Sequence, residues 1–216
     1  MKNLLVVARY NEDVSWTEDL DCTVLIYNKG EKLDPKYNAI DIPNFGREAE
    51  TYLRAIKEHY DYMCSFDHVT FLQGDPFDHF PEVLEIIPQD NKKIAYDFPC
   101  PISTHNTVWF NTGNKGYAFR AGYTECVATG KYDETYLQIL KETTLRMQLP
   151  WYDNWIEYAG AQFIIPRKYL QIKSHGWWNH VYDLYEYSES ILYKNINYPG
   201  MACVFEKLWH TIFTMF

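Results

Sequence analysis

The sequence predicts an α/β protein with a central, mostly parallel (mixed) sheet flanked by helices. Three observations carry this. Short apolar runs recur, as in "LLVVA" at 4–8, "CTVLIY" at 22–27 and "HVTFLQ" at 68–73. Runs without polar alternation are the pattern of strands buried on both faces. Between the last two runs, "NFGREAETYLRAIKEHYD" at 44–61 sets Ala49, Tyr52, Leu53, Ile56 and Tyr60 at helical spacing, which makes one apolar face. Strand, helix, strand in that rhythm implies crossover connections between parallel strands.

The later elements follow in chain order. "KKIAYDF" at 92–98 is expected as a fourth strand. "TVWFNTGNKGYAFRAG" at 107–122 reads as a hairpin or a long loop, since aromatic runs flank a Gly-Asn-Lys-Gly turn. "DETYLQILKETTLRMQ" at 133–148 is a helix closed by Pro150, a further helix is expected from about Trp151, and "AQFIIP" at 161–166 is a late strand. The apolar tail "FEKLWHTIFTMF" fits either a last packed helix or one domain cut from a longer protein.

Composition narrows the function. The 20 basic and 29 acidic side chains leave a net charge of −9, which argues against nucleic acid or an anionic membrane as the main partner. The five cysteines form no CxxC pair, so reduced thiols in a cytoplasm are expected. The first apolar run is too short for a membrane span. The 19 tyrosines and 7 tryptophans suit sugar faces as well as a core.

In open α/β sheets, ligands sit beyond the carboxyl ends of the strands. Those ends carry Arg9, Tyr10 and Asn11; Tyr27 and Lys29; and Gln73, Gly74 and Asp75. Arg47 opens the predicted helix, where a cation meets the positive end of the dipole. It makes sense there beneath a phosphate or carboxylate, or paired with Glu50 or Glu12. Arg9, Lys29 and Arg47 are expected to converge as one basic pocket. In "QGDPFD", two readings stand for the acids. Asp75 followed by Pro76 is a helix start with Asp78 in its first turn. The same two carboxylates are hard ligands for Mg2+ or Mn2+, with His79, His175 or His180 available to complete a shell. Within 151–163, Asp153 and Glu157 fall four apart on the expected helix. They are either a general base for an incoming hydroxyl or a solvated acidic face. "HGWWNHVYDLY" at 175–185 is a candidate lining for an acceptor groove.

These residues resemble a GT-A-type glycosyltransferase, nearest to its small viral, capsid-glycosylating members. The resemblance lies in "VVARYNED", in "GREAETYLRAI" and in "VTFLQGDPFD". It covers about residues 3–80, with "AGAQFIIPR" at 159–167 matching weakly and 100–150 matching nothing. It implies a single domain over 1–216, with a nucleotide-sugar-binding half at 1–100 and an acceptor-side half at 101–216. It implies transfer of a sugar from a nucleotide diphosphate, UDP being the commonest carrier, to a hydroxyl of a glycan or glycoprotein, with Mn2+ or Mg2+ on the acidic motif. The family motif is Asp-any-Asp, whereas here Pro76 and Phe77 separate the two acids. A carbohydrate-binding module without activity and a metal-dependent phosphoesterase are the alternatives.

Overall fold

The computed structural model describes residues 1–78, 80–92, 94, 96–102, 109–111, 117–130, 132–158, 160–192 and 200–215. Strands β1 (Asn3–Arg9), β2 (Thr23–Asn28), β3 (Ile40–Asp41), β4 (His68–Gln73), β5 (Cys100–Pro101) and β9 (Phe163–Pro166) form a six-stranded sheet in the order β3-β2-β1-β4-β9-β5. The first four are parallel, with Val6 registered between Leu25 and Phe71. Strand β9 runs antiparallel to both β4 and β5. The expected α/β class with a mixed sheet flanked by helices is therefore found.

Alternation along each strand explains why the apolar runs are continuous. Leu4 and Val6 face one core, with Val69, Phe71, Phe163 and Ile165. Leu5 and Val7 face the other, with Leu72 and Ile164. The first core is covered by α1 (Arg47–Met63), α6 (His175–Leu192) and α7 (Met201–Thr214). Helix α1 buries Ala49, Tyr52, Leu53 and Ile56, four of the five residues that its periodicity singles out; the fifth, Tyr60, is half-buried. The tail is a helix with Trp209, Ile212 and Phe213 fully enclosed. Among the described residues, no helix is long and apolar enough to cross a membrane.

A second, antiparallel sheet joins β6 (Trp109–Asn111), β7 (Tyr117–Gly122) and β8 (Asn154–Tyr158) in that order. Of the two expectations for 107–122, the antiparallel β6–β7 pair fits the hairpin; residues 107, 108 and 112–116, the Gly-Asn-Lys-Gly turn among them, lie outside the described residues. Helices α3 (Tyr123–Ala128) and α5 (Arg167–Gln171) are short, following β7 and β9; α4 (Glu134–Arg146) begins on Asp133, whose side chain accepts from the Tyr136 N–H at 2.7 Å.

Two expectations fail. The described residues of 92–98 are not strand. Strand β9 takes the place beside β4, and Tyr96 instead turns into the core, its hydroxyl on the Ile86 carbonyl at 2.6 Å. The helix expected from Trp151 is strand β8. It pairs with β7 and buries Trp155 and Glu157 on one face, so period 2 wins over period 3.6 in a run too short for periodicity to separate them.

Candidate functional site

Strand order creates a crevice. After β1 the chain moves to β2 on one side, and after β4 it moves toward the opposite edge. The loops therefore part above β1 and β4, the switch point where doubly wound sheets bind ligands. A pocket of about 490 Å3 lies there, lined by Ala8, Arg9, Tyr10, Glu12, Lys29, Asn44, Arg47, Glu48, Thr51, Gln73, Asp75 and Asp78. Of the expected binding residues, Arg9, Tyr10, Lys29, Arg47, Gln73, Asp75 and Asp78 are thus brought together.

Their roles differ from the expected ones. Arg9 is buried and binds the loops on either side: Nε donates to the Glu12 carbonyl, and Nη1 to the carbonyls of Tyr10 and Glu31 and to Asn28 Oδ1. Among the described residues it has no carboxylate partner. Lys29 Nζ donates to the carbonyls of Phe45 and Arg47 and pairs with Glu50 Oε2 at 2.8 Å. Burial lowers its pKa, and Glu50 partly offsets that. Arg47 alone projects freely: its side chain is 65 % exposed, with Glu48 at a loose 3.7 Å. Tyr10 is 51 % exposed at the pocket wall.

The expected basic pocket is corrected. Four carboxylates, Glu12, Glu48, Asp75 and Asp78, line it beside three cations, and Lys29 is already neutralised by Glu50. The cause is the tight packing of the strand-end loops, which spends Arg9 and Lys29 on carbonyl groups. Three further residues are corrected. Tyr27 is fully buried beneath α1, with its hydroxyl 3.4 Å from Glu58, and cannot stack on a ligand. Asn11 accepts from the Glu31 N–H at 2.8 Å and Gly74 packs under Glu12; neither lines the pocket. A Cβ on Gly74 would lie 2.5 Å from Glu12 Oε2, so the glycine admits that carboxylate.

The acidic loop is braced. Trp16 Nε1 donates to the Gly74 carbonyl at 3.0 Å, and Gln162 Nε2 to the Pro76 carbonyl at 3.3 Å. Asp75 Oδ1 accepts from the Phe77 N–H at 3.2 Å. That is a turn and not a helix start, because the next helix, α2 (Val83–Ile86), begins five residues beyond Asp78. Asp78 is exposed and its carboxylate has no partner among the described residues. His79 lies outside the described residues. Among those described, no three His, Cys, Asp or Glu side chains converge to hold a metal by themselves. Two exposed carboxylates on a braced loop do fit a hard cation that keeps water and takes ligand phosphate oxygens for its other positions.

The expected catalytic pair is elsewhere. Glu157 is fully buried, accepts from the Tyr132 hydroxyl at 2.9 Å and faces Lys207 at 4.0 Å. Asp153 is exposed at a separate cleft with Tyr152, Asn154, Trp155, Ile156, His210, Thr211 and Met215. Neither lines the strand-end crevice. His175 and His180 bind the carbonyls of Lys57 and Arg146. Trp178 is buried and Trp177 donates to the Met147 carbonyl, so 175–185 is a packed stretch of α6. Sequence reading passed over Asn44, Glu48 and Thr51. The usable signal was their position around the start of the helix that follows β2 and β3.

Compared with family models, curated proteins and solved structures, the chain gives no match.

Proposed function

We propose that this protein is a metal-dependent glycosyltransferase of GT-A type that uses a nucleotide diphosphate sugar, in the first instance a UDP-sugar, and transfers its sugar to a hydroxyl of a glycan or glycoprotein. One observation carries the reading: the switch-point crevice gathers an exposed aromatic ring, a free arginine and two exposed aspartates on a braced loop. The sheet order from β3 to β4 is also the order of doubly wound nucleotide-binding sheets.

Each residue then has a task. Tyr10 offers its ring to the base. Arg47 reaches the diphosphate beside the first N–H groups of α1, which lack helical partners. Arg9 keeps the loops around the base in place. Asp75 and Asp78 would hold Mn2+ or Mg2+, which when bound neutralises charge on the departing diphosphate. The acid excess makes this dependence strong, because a diphosphate entering alone would meet four carboxylates. Asp153 and Glu157 take no part.

The test is calorimetric titration of UDP with and without Mn2+, on the wild type and on Asp78→Ala. The expected result is binding that weakens about a hundred-fold without the metal or without Asp78, as like-charge contacts cost several kcal/mol. Equal affinity with and without Mn2+, or no binding of any nucleoside diphosphate, overturns the reading.

A further inference from the structure

Two consecutive residues at the start of α1 are left-handed: Gly46 with φ +61° and Arg47 with φ +51°. Glycine takes that conformation freely, but arginine is strained there. Something must hold the turn, and the surrounding bonds identify it. Lys29 Nζ grips the carbonyls of Phe45 and Arg47, on both sides of Gly46. The Tyr185 hydroxyl holds the Gly46 carbonyl at 2.6 Å. The Lys29 side chain is only 6 % exposed, and Glu50, one turn into the same helix, fixes its ammonium. Arg54 fixes Glu50 in turn, with Nε 2.6 Å from Oε1.

We propose that Lys29 is a positioning residue: it imposes the left-handed turn at Gly46 and Arg47 and so aims the Arg47 guanidinium into the crevice. This rests on the proposed reading only in naming what Arg47 meets, a diphosphate. The sequence invites a direct role for Lys29 as one of three converging cations. The geometry gives it an indirect one, since its ammonium donates to two carbonyls and pairs with a carboxylate of its own chain. The cation left exposed at the pocket is then Arg47, held only loosely by Glu48 at 3.7 Å, at the end of a turn that would otherwise relax.

Two measurements test this. The first needs no ligand. Arg47→Gly removes the strain, and is expected to raise the folding equilibrium constant about three-fold in the wild type. In a Lys29→Met background the turn relaxes, so the same change gives no gain. An equal gain in both backgrounds overturns the proposal. The second uses UDP with Mn2+, and uridine as the phosphate-free control. Lys29→Met and Arg47→Ala should each weaken UDP about ten-fold, the value of a charge-assisted contact. The double variant should lose no more than either alone, and uridine affinity should not change. Losses that add, or a fall in uridine affinity with Lys29→Met, would mean that Lys29 does not act through Arg47. Should the wild type bind no UDP, the glycosyltransferase reading fails, and the stability comparison still decides the role of Lys29.

Discussion

Two pockets of this molecule have the same volume, about 490 Å3 each, and opposite chemistry. The strand-end crevice is lined by four carboxylates and three cations on loops that bonds hold from several sides. The cleft beside β8 and α7 is walled by Trp155, Ile156, Met215 and a neutral His210, with Asp153 at its edge. Volume therefore does not single out a site here. What distinguishes the crevice is polar groups left over after the fold has satisfied itself: Arg47, Asp75 and Asp78. In the second region Glu157, one of the two carboxylates that the sequence offers as a general base, is consumed by Tyr132 and Lys207.

That contrast can be broken experimentally. The largest effect is expected at Glu157. Its truncation to Ala removes the acceptor of the half-buried Tyr132 hydroxyl, while Lys207 keeps its closer pair with Glu206 at 2.8 Å. Stability should fall by about 2 kcal/mol in urea unfolding, with UDP affinity in Mn2+ unchanged. A variant that keeps its stability and loses nucleotide or transfer activity would restore a catalytic role.

Asp75 sharpens the comparison from the other side. Being exposed, with one N–H partner, it should cost within about 1 kcal/mol of stability as Ala. Its effect on UDP affinity in Mn2+ should still reach about ten-fold. A loss of stability with no loss of affinity would make it a turn residue only.

An effect confined to acid pH is expected in the cleft. Burial holds the His210 imidazole down to about 4. The unfolded chain protonates near the ordinary value of about 6.5. Between those values it binds more protons than the folded one, so this contribution is complete above 6.5 and is lost as pH falls through 4. Melting temperature should drop over that interval, and His210→Gln should drop less. Parallel curves for the two proteins would remove His210 from the account. The smallest effect belongs to Asp153→Asn, at the exposed rim: within about 0.5 kcal/mol, with unchanged UDP affinity.

Much of the first region was legible before folding. The strand ends and the start of α1 name most residues of the crevice, because a parallel sheet sends its loops to one edge. The second region was not. In "WYDNWIEY" the charges at Asp153 and Glu157 fit one helical face as well as one strand face, and only pairing with β7 under α7 decides for the strand. Tyr27 was misread for a related reason. Both sides of its strand are buried, so an apolar run does not reveal that its ring lies under α1.

By itself, then, the sequence determined the buried strands, the amphipathic α1 and the acidic loop after β4, since each depends on neighbours within one turn or one strand. The tertiary structure alone decided which charges remain available. Lys29 meets Phe45, Glu157 meets Lys207, and Gln162 meets Pro76 across long stretches of chain. A charge becomes structural or available according to the partners that packing brings to it, and those partners lie too far along the chain for local pattern to name.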